Sequence, residues 1–513
     1  MRDSGVIDQI YGQILQLSGS DDYSFGLLKG QWGYKSGEQY QKNLLLMMKN
    51  IRMLAKETPV LYYDYSFWLF DGKIYAPIRE ELVVEAFYML IEHLEIMPAI
   101  RSKVFSDAYV KNIRYYNPMV QSRNLIAFEN GVLDISPILK GHKPIFHEDF
   151  SPRFHVTYYH PYKYDENARC LKWMNFLHEV LPDKNSRVIL QMFLGLGLID
   201  SSEIYLPYEG KDAARVELCL LMIGPGGNGK SVVYRTARGI YGSERISELN
   251  YEALTSGGDE GMRNRLLLRG KIFNWNSDED SRIFGKKNSA TFKKIVSGET
   301  VTERRIGGNV TFNDNLPYLV FHLNELPYPD DQSLGFIRRL QFISFDVTIP
   351  KERRNPHLAQ DLIPNYPGIF NWVVRGARDI IRRKFIFPSS EGHRRQLLLT
   401  QLKSSPVLAW INAYGVRYAP QANQENCDWV RTDDIVASIE AFCEANDAEI
   451  PSRQKIGHTL GKFGFSKRKK SYGNEYQIFG CNAERMSRPF IIADEDLSIE
   501  YEEEKGSFIL EDD

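Results

Sequence analysis

Apolar positions recur at helical spacing over residues 40–54 and again over residues 80–96, which predicts two amphipathic helices. Between them runs Leu61-Tyr-Tyr-Asp-Tyr-Ser-Phe-Trp-Leu-Phe70, an aromatic stretch that reads as strand. Asp71-Gly72 then predicts a hairpin turn into Lys73-Ile-Tyr-Ala. Residues 170–199 return to the helical period. Residues 216–223 are almost continuously apolar over a strand's length, the pattern of a parallel strand buried on both faces. Residues 271–275, 318–323 and 340–345 read as further strands. Near residue 390 the pattern changes to three helices, 396–414, 432–445 and 452–463. A short hairpin follows, 466–470 with 475–479, turning at Tyr472-Gly473-Asn474. Helices followed by a basic hairpin suggest a winged-helix domain.

At 513 residues the chain has room for about three domains of roughly 150 residues each. Its 43% apolar and 25% charged composition is that of a globular protein with real cores. The longest apolar run, residues 188–199, contains Gln191 and is too short to span a bilayer. The N-terminus shows no basic segment leading into an apolar one, so the expectation is a cytoplasmic protein with no membrane partner. Cys170, Cys219, Cys427, Cys443 and Cys481 are scattered and never form a Cys-x-x-Cys pair, which excludes a zinc ribbon and predicts buried free thiols. A net charge of −2 means that any nucleic-acid site must be a local basic patch. Lys467-Arg468-Lys469-Lys470 is such a cluster, beside the predicted hairpin. Residues 494–513 carry ten acids against one lysine and read as an acidic tail.

The chemistry starts at Gly224-Pro225-Gly226-Gly227-Asn228-Gly229-Lys230-Ser231-Val232. This run matches the phosphate-binding pattern G-x-x-x-x-G-K-[ST], with a predicted strand before it and a predicted helix after it. Glycines let backbone N–H groups curl round phosphates, Lys230 reaches the β- and γ-phosphates, and the Ser231 hydroxyl suits Mg²⁺. Hydrolysis also needs carboxylates to hold the metal and polarise water. Lys271-Ile-Phe-Asn-Trp-Asn-Ser-Asp278-Glu279-Asp280 ends an apolar stretch in adjacent acids. Asp278 and Glu279 are therefore the candidates for metal ligand and base, with their order left open. Asn324 ends the strand at 318–323, where it can hydrogen-bond an attacking water. Arg338 and Arg339 offer charge for the transition state.

Taken together, these segments resemble the superfamily 3 helicases, in particular the phage/plasmid primase–helicase group. The resemblance spans residues 125–388 and includes Ile126-Ala-Phe-Glu-Asn130-Gly131-Val-Leu-Asp134, Pro161-Tyr-Lys-Tyr-Asp165, Phe292-Lys-Lys-Ile-Val-Ser-Gly298-Glu299 and Pro367-Gly368-Ile-Phe-Asn-Trp372. It implies an α/β fold: an AAA+-like P-loop motor at 206–388, preceded by a mixed α+β region at 1–120 and a helical region at 121–205. A winged-helix domain at 389–487 and the acidic tail at 488–513 would follow. It also implies ATP and Mg²⁺ as cofactors, Asn324 as sensor, and Arg339, with Arg338 as alternate, as a finger into the next subunit of a homo-hexamer. Residues 300–312, turning at Gly307-Gly308, would grip single-stranded DNA through Arg304 and Arg305 as the ring moves 3′ to 5′. The basic cluster would meet duplex DNA, and other replication proteins would be partners. In this chain Ser277-Asp278-Glu279 leaves the acidic register open by one residue, between Asp278 and Glu279, and Asn365 stands where the group tends to carry Glu. Primase activity is not implied.

Two other classes fit part of this pattern. One is an origin-binding initiator that uses ATP only to assemble; the other is a P-loop signalling or defence ATPase that unwinds nothing. Arg304 and Arg305 on a predicted hairpin favour the motor over the initiator. DNA-stimulated hydrolysis and strand displacement discriminate the three.

Overall fold

The computed structural model describes residues 3–20, 22–23, 25–28, 38–96, 99–119, 124–199, 216–327, 329–331, 333–418, 428–481 and 483–492. The chain divides into two units, residues 1–164 and 165–513. Cys427 and residues 493–513 lie outside the described residues, whereas Ile492, within the span expected as tail, is buried in the core of the C-terminal part. Among the described residues no helix is long and apolar enough to cross a membrane.

The N-terminal unit begins with helices α1 (Asp3–Ser18) and α2 (Glu38–Glu57). An antiparallel sheet of β1 (Val60–Tyr63), β2 (Ser66–Phe70) and β3 (Tyr75–Ile78) follows, then α3 (Glu80–His93) and α4 (Ala99–Tyr116). The aromatic stretch expected to be one strand is two. Asp64 and Tyr65 both adopt positive φ, 47° and 62°, so the chain reverses between Tyr63 and Ser66 in the tight turn that suits strand twist. Asp71 makes the next turn by accepting from the N–H groups of Lys73 and Ile74, each at 2.9 Å. The helices bury Ile10, Ile14, Met47, Ile51, Leu54, Phe87, Leu90 and Ile113 in a common core. There the buried Tyr109 stacks on Phe87 and donates its hydroxyl to Thr58 at 2.8 Å.

Within the expected helical region at 121–205, residues 125–160 form strands instead, and the N-terminal unit extends past the expected boundary at 120. β4 (Leu125–Phe128), β5 (Gly131–Asp134), β6 (Ile145–His147) and β7 (Tyr159–His160) form a sheet in the order β6-β5-β4-β7, and this sheet belongs to the N-terminal unit. Asn130-Gly131 explains why strands win here. A side chain at Gly131 would collide with the carbonyl of His147, so the hairpin is tight enough only for glycine. Asn130 brackets Tyr164, accepting from its N–H at 2.8 Å and donating to its carbonyl at 3.0 Å.

In the second unit, α5 (Leu171–Val180) and α6 (Lys184–Leu196) split the predicted helical stretch at Pro182, with Asp183 capping α6. A five-stranded parallel sheet follows, built from β8 (Cys219–Ile223), β9 (Ile246–Ser247), β10 (Phe273–Asn276), β13 (Tyr318–Leu323) and β14 (Leu340–Ser344). Its spatial order is β14-β8-β13-β10-β9. β8 and β13 are buried along their whole length, as their unbroken apolar runs require. The connections are α7 (Lys230–Tyr241), α8 (Tyr251–Thr255), α9 (Gly258–Leu266), α10 (Ser289–Ser297), the antiparallel pair β11 (Val301–Arg304) and β12 (Val310–Asn313), and α11 (Leu334–Ile337). After the short α12 (Leu358–Asp361), the long α13 (Tyr366–Arg382) packs on α6 at close range. Side chains at Gly195 or Gly376 would strike the other helix's backbone.

The chain then forms α14 (Glu391–Ser404) and α15 (Pro406–Ala413), two helices where one was expected. Pro406 forces Ser405 out of helical geometry. β15 (Asp428–Arg431), α16 (Thr432–Ala445), α17 (Arg453–Lys462), β16 (Lys467–Lys470), β17 (Gly473–Ile478) and α18 (Ala483–Met486) complete it, with sheet order β15-β17-β16. Trp410, Ile435, Phe442, Leu460 and Ile478 form its core. The β16–β17 turn is Ser471-Tyr472, one residue earlier than expected, because Lys470 pairs with Gly473. Cys170, Cys219, Cys443 and Cys481 are buried free thiols, as expected.

Candidate nucleotide-binding site

The loop between β8 and α7 is shaped by three glycines with positive φ: Gly224 at 154°, Gly227 at 79° and Gly229 at 91°. A side chain at Gly224 would collide with the carbonyl of Phe345, so the loop can leave the sheet here only as glycine. Asn228 donates to that same carbonyl at 3.0 Å, which ties the loop to the end of β14. Lys230 is buried, and its ammonium donates to the Gly224 carbonyl, to the Pro225 carbonyl at 3.3 Å and to the Asn228 side-chain oxygen at 3.2 Å. Burial lowers its pKa to about 8. No side chain caps the N-terminus of α7, whose first N–H groups and dipole favour an anion. Ser231 is exposed at that terminus.

Because the strands are parallel, β8, β10 and β13 end at one edge, and the following residues gather there. The Gly224 N–H donates to the Leu323 carbonyl at 3.1 Å, which places the exposed Asn324 beside the entrance of the loop. The two candidate acids separate sharply. Asp278 is exposed, with its N–H bound to the Asn276 side chain at 3.0 Å. Glu279 is only 6% exposed; its N–H meets the His322 carbonyl at 3.1 Å and its carboxylate accepts from the Tyr251 N–H at 2.8 Å. Burial raises the Glu279 pKa to about 7, against the Tyr251 hydrogen bond.

The arginines lie at the opposite edge. Arg339 immediately precedes β14, and its carbonyl accepts from the Cys219 N–H at 2.7 Å, at the start of β8. Five residues of strand, about 17 Å at ~3.3 Å per residue, separate that point from the loop. Arg339 is buried and engaged within the chain: with Ser297 at 2.8 Å, with the Gly335 carbonyl, and with Glu217 at 2.8 Å. Arg338 is 65% exposed and meets only the rim of Glu217, at 3.2 Å. Of the two, Arg338 is the more exposed, and Arg339 is the one held within the chain.

The expected DNA contacts lie elsewhere on this unit. Arg304 donates to the Gly308 carbonyl at 3.0 Å and meets Asp259 at 3.2 Å, whereas Arg305 is exposed at the tip of the β11–β12 hairpin. Arg265 and Arg269 fasten the hairpin to α9 and its C-terminal end, through the Thr302 carbonyl at 3.1 Å and the buried Glu303. In the basic cluster, Arg468 is engaged by Glu475 at 2.6 Å and lies 4.1 Å above the Trp429 ring, which leaves Lys467, Lys469 and Lys470 as the outward cations.

Two site residues had no sequence signal. Arg354 sits over the loop: a side chain at Gly227 would collide with its guanidinium, and its Nε donates to the Ile349 carbonyl at 2.7 Å. It lies in an irregular turn after β14, where periodicity says nothing. His322, in the middle of an apolar strand, accepts from the Trp275 indole N–H at 2.9 Å. Burial, aided by the charge of Lys230, pushes its pKa down to about 3, so it stays neutral.

Fold and site thus define a mixed α/β protein in which a glycine loop, two carboxylates and an asparagine meet at one edge of a parallel sheet. The family described as D5 N terminal like matches residues 30–182, and a family of unknown function, DUF5906, matches residues 222–339. C962R of African swine fever virus, named as a candidate primase, is 24% identical over 218 residues in both the Malawi tick isolate and the Namibian warthog isolate. That alignment covers 40% of this chain and 21% of the viral protein, so the chain matches about a fifth of its relative's length. Among solved structures, the A form of the apo C-terminal region of NrS-1 is similar at 13% identity, 82% of this chain, 95% of that chain and a TM-score of 0.42. A second apo structure of that region gives 11% identity, 82% and 96% coverage and a TM-score of 0.37.

Proposed function

We propose that this chain is an ATP-driven DNA helicase of superfamily 3 type, acting in the replication of a phage, plasmid or other mobile element. The observation that carries the reading is the convergence of Gly224 to Ser231, Asp278, Glu279 and Asn324 at one sheet edge. The likeness to a viral protein named as a candidate primase supports a replication setting. In this reading Lys230 and the uncapped start of α7 hold the β- and γ-phosphates. The exposed Ser231 hydroxyl and Asp278 carboxylate are hard oxygen donors suited to Mg²⁺, which takes few protein ligands when phosphates supply the rest. The ion, when bound, neutralises charge developing on the transferred phosphoryl group. Glu279 accepts the proton of the attacking water, Asn324 orients that water, and Arg354 adds a positive charge over the loop.

Arg338 completes the site of a neighbouring subunit, since its own loop is about 17 Å away by strand length. That arrangement calls for a ring. The β11–β12 hairpin, with Arg305 at its tip, faces single-stranded DNA. α16, α17 and the β16–β17 hairpin act as a winged helix on duplex phosphates. The test is strand displacement on a tailed duplex: ATP-dependent unwinding that Lys230→Ala abolishes supports the reading. DNA-independent hydrolysis without unwinding refutes it in favour of a non-motor ATPase.

A further inference from the structure

The N-terminal unit carries a feature that the motor reading does not use. α2 and α4 together hold eight lysines and arginines against three acids, in a chain whose net charge is −2. Of those acids, Glu38 pairs with Lys42 and Glu57 accepts from the Tyr23 hydroxyl, which leaves Asp107. Lys49, Arg52 and Lys56 are spaced three and four apart and so share one face of α2. All three are exposed and have no carboxylate partner among the described residues. Arg52 and Lys56 flank the Tyr116 ring of α4, at 6.0 and 4.8 Å. Tyr115 stands edge-on to Tyr116 with centroids 4.7 Å apart, and is itself 77% exposed. Lys111 lies one turn before Tyr115 on the same face of α4.

We propose that this α2–α4 face is a binding site for single-stranded nucleic acid, separate from the motor and independent of it. Three unpaired cations along about 10 Å of helix match a run of phosphates. An exposed ring beside them offers a stacking platform that only an unpaired base can use. A duplex hides its base faces, so the ring selects the single strand. A plain acidic polypeptide would meet the cations but has no flat partner for Tyr115.

The experiment uses the full chain without nucleotide, in a background where Arg304, Arg305, Lys467, Lys469 and Lys470 are alanine, so that the other DNA-facing groups are silent. A fluorescein-labelled oligothymidylate is titrated by anisotropy across a salt series. Replacing Lys49, Arg52 and Lys56 together with Gln should flatten the slope of log affinity against log salt by about 2, at ~0.7 per phosphate on a single strand. Tyr115→Ala should weaken binding about tenfold, and Tyr115→Trp should restore it. These side chains are exposed, so thermal melts should not move. An oligonucleotide carrying 5-iodouracil should crosslink to Tyr115 on irradiation. The proposal is overturned if the salt slope is unchanged, if crosslinks map only to residues after 164, or if polyaspartate competes as well as oligothymidylate of equal charge. Failure of strand displacement would sink the helicase reading and leave this measurement standing.

Discussion

Glu279 gives the sharpest test of the chemistry, because one buried carboxyl should move activity and stability in opposite directions. Its pKa is raised from the ordinary 4.5 to about 7 by burial. If it is the base, turnover at pH 6 should be about a tenth of the plateau, where roughly one site in ten is ionised, and should level off above about pH 8. Stability runs the other way. Between about 4.5 and about 7 the folded chain holds a proton that the unfolded chain has released, so stability falls as pH rises. The contribution is fully present below about 4.5 and lost as pH passes through about 7. At ~1.36 kcal/mol per tenfold change, the span of about 2.5 pH units is worth at most about 3 to 4 kcal/mol. Glu279→Gln keeps an oxygen for the Tyr251 N–H and removes the titration. It should cut turnover about 10²- to 10⁴-fold and flatten the fall in melting temperature between pH 5 and 8. Steady-state ATPase assays and thermal melts at matched ionic strength measure both effects. A flat wild-type pH profile with near-normal Glu279→Gln turnover would refute the assignment. Asp278→Asn would then be expected to be the more damaging variant.

Lys230→Ala should fold normally yet lose ATP turnover and nucleotide binding, read by calorimetry and phosphate release. Arg338→Ala should be inactive alone, but mixing it with Lys230→Ala should restore part of the activity; no recovery in mixtures shown to exchange subunits counts against a shared site. Replacing Arg304 and Arg305 with Ala should abolish strand displacement while basal hydrolysis persists. Replacing Lys467, Lys469 and Lys470 with Ala should flatten the salt slope on duplex DNA by roughly 2 to 3, at about 0.9 per phosphate, whereas Arg468→Ala alone should mainly loosen the Glu475 and Trp429 packing.

The parallel sheet was legible because its strands are buried on both faces and leave unbroken apolar runs, as at Tyr318–Leu323. The glycine loop was legible for a different reason: three of its glycines are required by positive φ, so spacing and geometry say the same thing. Local reversals were harder to see. Asp64-Tyr65 turns a strand without a glycine, and β4–β7 are too short to be told from helix by period alone. Sequence adjacency also hid a difference in burial at two pairs. Asp278 and Glu279 are neighbours, yet one faces water and the other is buried against Tyr251; Arg338 and Arg339 divide in the same way. Arg354 reaches the loop only through the fold of an irregular turn, which no pattern encodes.

The polarity of the sheet has a consequence for how such a chain behaves at low abundance. Parallel strands put the glycine loop at one edge and Arg338 at the other, so on the function proposed above a single copy would hold two halves of an active centre that it cannot bring together. Hydrolysis in a dilute solution should then rise faster than linearly with protein concentration and approach proportionality only once copies associate. In a cell, a variant that spoils one edge while keeping the other would act as a poison on intact copies rather than as a silent loss. If the chains form the proposed ring, a molecule that capped either edge would silence the whole ring at less than one equivalent per chain.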